Sequence, residues 1–416
     1  MLRDPSFLIL SEDSPASYSP AGERTRYMAL ACSSISKAVA VVTLRSRQSS
    51  DECGKTSQSS AILYSLNFSR GMPYPLSAFL DPVKLLLFFA YGLILCRRYK
   101  VSHIVATMPP FETGASAFLL AKLLRRKLVT DLMDDWEASL EKNLTRYIPL
   151  NLLRPLFKAA ISIYSSSVGI LAVTSIIEHA VRRRNVLVPT VLAPMGTNSS
   201  LFVPRNERPR RELRLKYALP LDRIVVVYCG SGSNPYYRLD KILLAAKSLQ
   251  NDTKNRVSIV FYLYSGLEHI KRLKEQLNVS DDIVEVRGPL PRCELSQVMG
   301  ACDVGLVPFD DEEYLLCARS TKLYEYLSSG LYVVSSGPES GELDVFFSEK
   351  PECGVFVKPS AQGFSEAFLE ISNNRQRLLG DDSRLSRHSF IMENYDSRRI
   401  LAEIMTRLSG SEGEEE

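Results

Sequence analysis

The sequence predicts an α/β protein that contains two doubly wound parallel-sheet domains. The chain has 416 residues, which is the usual length of two domains. Short apolar runs alternate with helical patterns in both halves, and this alternation is typical of parallel sheets. Between the halves, residues 206–222 are highly charged and contain two prolines, as expected of a linker with an opening helix.

The first half contains seven strand-like runs, at residues 7–10, 38–44, 61–66, 102–107, 127–132, 169–174 and 190–193. Helical patterns lie between them at residues 24–36, 83–99, 114–125 and 176–184. We therefore expect residues 1–205 to form the first domain.

The second half contains six strand-like runs, at residues 224–229, 257–264, 283–286, 304–308, 331–335 and 354–358. Helical patterns lie at residues 239–249, 269–277, 293–301 and 365–373. We expect residues 206–389 to form the second domain. A final helix at about residues 390–408 should pack back on the first domain, and residues 409–416 should be a disordered acidic tail.

Charge is unevenly distributed along the chain. The total is +4, but residues 1–200 carry +9 and the remainder carries −5. A basic first half suits an anionic membrane surface or a phosphate-bearing acceptor, and solvated helix faces explain it equally well. The basic clusters lack interleaved aromatic residues at a recognisable spacing, which argues against nucleic acid as a partner.

The cysteines indicate a reducing compartment. None of the eight forms a C-x-x-C pair or clusters with histidine, so we expect buried thiols in a cytoplasmic protein. No signal-peptide pattern is evident. The apolar run at residues 85–96 is too short to span a bilayer and is followed by Arg97, Arg98 and Lys100. It favours a core helix over an interfacial anchor, and peripheral contact with the inner membrane face is the alternative.

The most informative stretch is STKLYEYLSSGLYVVSS, residues 320–336. Ser320 and Thr321 are good helix N-caps, and Gly330 stands where a C-cap glycine is expected. The helix N-terminus would point out of a parallel sheet, where it can bind an anion. Glu325 lies one turn further on and suits the paired hydroxyls of a ribose. Together these features predict a sugar-nucleotide site.

Four segments of the second half resemble the C-terminal domain of family 4 glycosyltransferases, which have the GT-B fold. They are VVVYCGSGSNPYYRLDKILLAAKSL, VRGPLPRCELSQVMGACDVGLVPF, STKLYEYLSSGLYVVSS and VFVKPSAQGFSEAFLEI, which span about residues 224–372. The first half is more loosely similar to a bacterial and archaeal polysaccharide-biosynthesis branch, through SYSPAGERTRYMAL, ATMPPFETGASAFLLAK, LVTDLMDDWEAS and PMGTNSSLFVP.

This resemblance implies two Rossmann-like domains facing a central cleft. It implies a retaining glycosyltransferase of the hexosyltransferase type, which moves a sugar from a nucleotide diphosphate sugar to a glycan or a lipid-linked acceptor. In such enzymes basic side chains and a helix end hold the diphosphate, and no D-x-D follows a strand here. We therefore expect no metal and no cofactor beyond the donor itself.

The resemblance also assigns roles in the second domain. Glu325 matches the second glutamate of the family's E-x7-E motif, which binds ribose; the alternative is a solvated carboxylate paired with Lys322. Lys322, Ser320 and Thr321 match positions beside the diphosphate, or act simply as helix-capping residues. The remaining matches are Gly230, Ser231 and Gly232 in a phosphate-facing turn, Arg238 beside the leaving diphosphate, and Arg287 with Gly288 beside the base.

The resemblance makes residues 1–205 the acceptor-side domain. In it, Gly22 and Arg24 would lie in a loop that faces the cleft. Asp134, with Trp136 as its aromatic partner, would orient the donor sugar or the acceptor, unless it serves as a helix N-cap. The residues assigned to catalysis are therefore Asp134, Lys322 and Arg238.

The sequence departs from the family pattern at two places. Cys317 occupies the position of the first motif glutamate, and Met195-Gly196-Thr197-Asn198 replaces Asn-Gly-Val-Asp. Two alternatives to a transferase therefore stay open: a sugar-nucleotide epimerase of the same fold, and a non-catalytic glycosyltransferase-like subunit.

Overall fold

Each half of the chain builds a parallel sheet that is covered by helices. The computed structural model describes residues 5–15, 19–45, 61–65, 82–144, 149–250 and 256–410. The chain divides into one unit of Met1–Met195 with Ser397–Glu416 and a second unit of Gly196–Asp396.

The first unit contains a seven-stranded parallel sheet of order β3-β2-β1-β4-β5-β6-β7. Its strands are Ser6–Asp13 (β1), Ala38–Arg45 (β2), Ala61–Ser65 (β3), His103–Met108 (β4), Lys127–Leu132 (β5), Gly169–Ala172 (β6) and Thr190–Leu192 (β7). Its helices before the second unit are Pro20–Ile35 (α1), Pro82–Arg98 (α2), Phe111–Leu124 (α3), Trp136–Leu144 (α4), Leu150–Ser165 (α5) and Ser175–Arg183 (α6).

The second unit contains a six-stranded parallel sheet of order β10-β9-β8-β11-β12-β13. Its strands are Ile224–Ser231 (β8), Val257–Ser265 (β9), Val284–Arg287 (β10), Val304–Pro308 (β11), Tyr332–Ser336 (β12) and Gly354–Val357 (β13). Its helices are Glu207–Lys216 (α7), Leu239–Leu249 (α8), Leu267–Gln276 (α9), Arg292–Ala301 (α10), Thr321–Ser328 (α11), Glu342–Glu349 (α12), Ala361–Asn373 (α13), Arg375–Leu379 (α14) and Asp381–Asn394 (α15).

The last helix, Ser397–Ser409 (α16), returns to the first unit. Its buried Leu401, Ile404 and Met405 join a core formed by α1 and the sheet strands. The units divide after Met195, earlier than residue 205, because Phe202 packs with the second unit. The carbonyl of Phe202 accepts a hydrogen bond of 2.6 Å from Ser328 Oγ on α11.

Every predicted strand has a counterpart, and the predicted two-sheet α/β architecture is confirmed. The strands were recognisable because they are apolar runs buried on both faces. β8, for example, is buried along its whole length. Several helices were not predicted, including α5, which carries Pro155 inside its first turns.

Three further observations concern only the described part of the chain. No helix there combines the length and apolar character needed to cross a bilayer. No three His, Cys, Asp or Glu side chains are grouped so as to hold a metal ion. The seven cysteines in these residues are free thiols, all buried except the half-buried Cys293, while Cys53 lies outside the described residues.

Candidate functional site

The N-terminus of α11 lies at the carboxyl edge of the second sheet. It follows β11 and precedes β12, and a helix that connects two parallel strands begins where the first strand ends. Ser320 caps it, since Ser320 Oγ accepts from the backbone N–H of Lys322 at 3.3 Å. Gly330 has a φ of +81°, a left-handed conformation that ends the helix. The predicted helix and its two caps are therefore confirmed.

Lys322 places its ammonium group among tyrosines at this helix end. Nζ donates to the hydroxyl of Tyr237 at 2.8 Å and lies 4.4 Å from the centroid of that ring. The ring centroid of Tyr228 is 5.6 Å away. Burial lowers the pKa of Lys322, and Tyr264, Tyr236 and Glu325 act in the opposite direction. Its ammonium forms no ion pair with a carboxylate of the described residues. This charge is available to an anionic ligand.

Gly230 makes room for Lys322. A Cβ at this position would lie 2.7 Å from Lys322 Cε and 2.8 Å from the Tyr228 hydroxyl, closer than real contacts allow. The glycine is therefore required at least by this internal contact. Ser231 Oγ is 2.8 Å from Ser265 Oγ, and the backbone N–H of Gly232 donates to the Ser265 carbonyl at 2.8 Å. The turn is thus tied to the end of β9.

Glu325 is buried, and a residue that the sequence did not single out pairs with it. Arg292 Nη2 donates to Glu325 Oε1 at 2.8 Å, and the two side chains are 10% and 9% exposed. The guanidinium also stacks 5.0 Å from the ring centroid of Phe202. The alternative of a solvated Glu325 paired with Lys322 is therefore wrong. No local sequence signal connects Arg292 on α10 with a carboxylate 33 positions away.

Arg238 lies in the same turn region, but two carboxylates already neutralise it. It donates to both oxygens of Asp240, at 2.9 and 2.8 Å, and to both oxygens of Asp310, at 2.9 and 3.0 Å. Compared with Lys322, its charge is far less available to a leaving diphosphate.

Arg287 and Gly288 differ in their surroundings. Arg287 is held by the carbonyls of Tyr217 and Ala218, at 2.6 and 2.9 Å, and by the Tyr262 hydroxyl at 2.9 Å. Its side chain therefore fixes the end of α7 to the sheet. At Gly288 an added Cβ would meet no atom within 4 Å, so this backbone is open to a ligand.

The first-unit residues Gly22 and Arg24 do not lie in a loop, contrary to prediction. Both belong to the first turns of α1, where the N–H of Gly22 donates to the capping Ser19 Oγ at 3.0 Å. Arg24 is fully buried and pairs with the equally buried Asp131 at 2.7 Å, while Nη1 donates to the Pro194 carbonyl at 3.0 Å. Arg24 is thus part of the core.

Asp134 is exposed in the segment between β5 and α4. The helix cap falls to its neighbour, because Asp135 Oδ1 accepts from the Ala138 N–H at 3.4 Å. The predicted partner Trp136 is buried, and its indole N–H donates to the Tyr164 hydroxyl at 2.9 Å. Trp136 therefore supports the core, and the exposed Asp134 lies outside it.

Part of the chain matches a known protein family. Residues 223–374 match the family model described as Glycosyl transferases group 1. The matched region includes Gly230, Arg292, Lys322 and Glu325. No curated protein sequence matches the chain.

Solved structures share the architecture at low sequence identity. Sucrose-phosphate synthase from Thermosynechococcus elongatus is 18% identical with a TM-score of 0.71, and 98% of each chain is covered. Anabaena HepE, in complex with UDP and glucose, is 14% identical with a TM-score of 0.67, covering 98% of this chain and 100% of HepE. Starch Synthase IV from Arabidopsis thaliana, bound to ADP and acarbose, is 13% identical with a TM-score of 0.66, covering 98% and 99%. The chain therefore has the GT-B fold, and its second unit carries a region that matches the group 1 glycosyl transferases.

Proposed function

We propose that this protein is a retaining glycosyltransferase of the hexosyltransferase type, resembling family 4 enzymes of polysaccharide biosynthesis. It would move a sugar from a nucleotide diphosphate sugar to a glycan or lipid-linked acceptor. One observation carries the proposal. The region that matches the group 1 glycosyl transferases also contains, at the N-terminus of α11, the Lys322 ammonium, which forms no ion pair with any described residue.

The chemistry follows from charge. As the bond between the sugar C1 and the diphosphate oxygen breaks, negative charge grows on the diphosphate. The free N–H groups of a helix N-terminus and a partly desolvated ammonium stabilise such charge. The acceptor oxygen bonds to C1 on the face that the diphosphate leaves, and the acceptor proton passes to a diphosphate oxygen. Lys322 and the helix end supply this stabilisation without a metal, so we propose metal-independent transfer.

The other roles are assigned by position. Glu325, one turn after Lys322, would accept from the ribose hydroxyls, with Arg292 holding one of its oxygens. Ser320 and Thr321 would present backbone N–H groups to the diphosphate, and the open backbone at Gly288 would approach the base. On the acceptor side, the exposed Asp134 would orient the acceptor or the donor sugar.

We further propose that the protein is cytoplasmic and that its first unit binds the inner face of a membrane, where the acceptor is located. Residues 82–127, which include α2 and α3, contain eight Lys and Arg and one acidic residue. The exposed Leu86, Ile94, Leu119 and Leu123 lie on these same two helices. Apolar side chains rimmed by cations bind anionic lipid surfaces. Sedimentation with anionic and with neutral vesicles tests this contact. We expect the protein to sediment with the anionic vesicles and not with the neutral ones.

Thermal unfolding with a panel of UDP-, GDP- and ADP-sugars tests the function. A ligand at 100 times its Kd stabilises the folded state by about 2.7 kcal/mol. We expect at least one nucleotide sugar to stabilise the wild type, and Lys322→Met to lose most of that effect. Lys271→Met on α9 is the matched control, since Lys271 pairs only with the nearby Glu268 among the described residues.

Turnover then separates the alternatives. Release of the nucleotide that requires an added glycan acceptor supports the transferase. Acceptor-independent release or rearrangement of the donor indicates the epimerase instead. Failure of every nucleotide sugar to stabilise the protein indicates a non-catalytic subunit and contradicts the proposal.

A further inference from the structure

An aromatic cluster surrounds the Lys322 ammonium at the carboxyl edge of the second sheet. It consists of Tyr228 on β8, Tyr236 and Tyr237 in the turn before α8, and Phe309 just after β11. Tyr237 lies at its centre, stacked on Phe309 with ring centroids 5.3 Å apart and planes 16° apart. Its ring is also 5.6 Å from Tyr228 in an edge arrangement and 4.8 Å from Tyr236. The ring of Tyr237 is therefore fixed by packing.

The backbone fixes Tyr237 as well. Tyr237 forms a β-bridge with Phe309, and the N–H of the next residue, Arg238, donates to the Pro308 carbonyl at 2.8 Å. The N–H of Asp310 donates to the Tyr236 carbonyl at 2.9 Å. The turn that carries Tyr237 is thereby attached to the end of β11 on both sides of that residue.

The contact between Tyr237 and Lys322 combines two interactions. The ammonium lies 4.4 Å from the ring centroid and donates to the hydroxyl at 2.8 Å. An ammonium over an aromatic face is stabilised by the ring quadrupole, more strongly where water is excluded. Burial raises the pKa of Tyr237 to about 12, so its hydroxyl is neutral and cannot neutralise the lysine.

Carboxylates in this region are engaged elsewhere. Asp240 and Asp310 both bind Arg238, and Glu325 binds Arg292. The other titratable groups that face Lys322 are Tyr228 and Cys229 on β8, Tyr264 at the end of β9 and Tyr236. Lys322 is therefore hydrogen-bonded to a neutral partner, and the nearby charge of Glu325 acts on it without forming an ion pair among the described residues.

We infer that Tyr237 is a positioning residue for Lys322, whose ring and hydroxyl hold the ammonium at the sheet edge until an anionic group replaces the hydroxyl. The inference rests on the proposed function only for the identity of that anion, the diphosphate of a nucleotide sugar. A neutral partner suits this exchange, because a carboxylate at the same place would compete with the phosphate for the cation. The Tyr237 ring keeps its contact with the ammonium after the anion has replaced the hydroxyl.

The direct test measures the pH at which the Lys322 amine becomes reactive in the full-length protein without ligand. Competitive labelling with trace acetic anhydride across a pH series, read by peptide mass spectrometry, gives the labelling midpoint of each lysine. We expect Tyr237→Leu to lower the midpoint of Lys322 by about one pH unit, because the stabilisation of the charged form is lost. Tyr237→Phe keeps the ring and should lower it by less. Lys271 should be unchanged in both variants.

The second readout is the affinity for UDP as a function of pH. In the wild type, affinity should fall as pH rises through the Lys322 midpoint, and in Tyr237→Leu the fall should move to lower pH. If Tyr237→Leu fails to fold, the comparison rests on Tyr237→Phe, whose ring still packs on Phe309. A merely structural role would weaken UDP binding equally at every pH and leave the labelling midpoint unmoved, which would overturn the inference. If UDP does not bind the wild type, the proposed function fails, while the labelling midpoints still decide the role of Tyr237.

Discussion

Arg292 and Glu325 form a buried ion pair, with Arg292 Nη2 donating to Glu325 Oε1 at 2.8 Å. The pair connects the start of α10 with the middle of α11, and so fixes the carboxylate one turn from the helix N-terminus. Arg292 is itself placed by stacking on Phe202. A carboxylate held in this way has a fixed orientation, which the proposed contact with a ribose requires.

We expect Arg292→Met and Glu325→Gln each to lower the free energy of unfolding of the second unit by about 3 kcal/mol. Each single change leaves one buried charge without its partner, so the double variant should lose less than the sum. Urea denaturation of the four proteins measures this coupling. The exposed pair of Lys358 and Glu339 is the control, with an expected effect below about 0.5 kcal/mol. Strict additivity of the Arg292 and Glu325 effects would contradict the pairing.

We expect Gly230→Ala to weaken nucleotide binding more than tenfold, because the new Cβ would lie 2.7 Å from Lys322 Cε and must displace the lysine. Lys271→Met is the control, because Lys271 on α9 pairs only with the nearby Glu268 among the described residues. Calorimetric titration with UDP measures both. Equal affinity in the wild type and Gly230→Ala would show that the position of Lys322 does not require the absence of a side chain at residue 230.

Arg24→Met should destabilise the first unit by about 3 kcal/mol without a specific effect on nucleotide affinity, since it leaves Asp131 as a buried, unpaired carboxylate. Arg399→Met on α16 is the control; Arg399 pairs with Glu403, and the two side chains are 49% and 53% exposed. Chemical denaturation and UDP titration on the same samples separate the two effects. If Arg24→Met folds with normal stability but fails to bind UDP, Arg24 takes part in nucleotide binding and the prediction is wrong.

The stability of the first unit should fall between pH 7.5 and pH 5 because of His103. Burial, with a smaller contribution from the charge of Lys127, lowers the pKa of His103 from 6.5 to about 4. The unfolded chain therefore binds the proton more readily, and the stabilisation present above pH 6.5 is lost as pH falls towards 4. The expected loss at pH 5 is about 2 kcal/mol.

Urea denaturation at the two pH values measures the His103 effect. His103→Leu should reduce the pH dependence by that amount. An unchanged pH dependence in His103→Leu would show that another group is responsible.

The fold was predictable from the sequence because its signals are local. Buried parallel strands are apolar runs, so β8 and β12 could be recognised from their own residues. The caps Ser320 and Gly330 act within a few residues and were also recognised correctly. α5 was missed because Pro155 interrupts a pattern that is otherwise helical.

The site was only partly predictable, because its contacts join distant parts of the chain. Arg24 was assigned to a loop because no residue near it in the sequence indicates an ion pair with Asp131, which lies 107 positions away. Lys322 and Glu325 were found from their own motif, but their partners Tyr237 and Arg292 come from other elements. Arg238 has the residue type expected beside a diphosphate, and only the structure reveals the two carboxylates that neutralise it.

Calorimetric titration of the full-length protein with UDP, ADP and GDP measures whether Lys322 binds the diphosphate of a nucleotide. We expect one site for at least one of these nucleotides. Its affinity should be unchanged in Lys271→Met and at least tenfold weaker in Lys322→Met, because a charge-assisted hydrogen bond to phosphate is lost. Absence of binding by all three, or equal affinity in Lys322→Met and the wild type, would contradict this expectation.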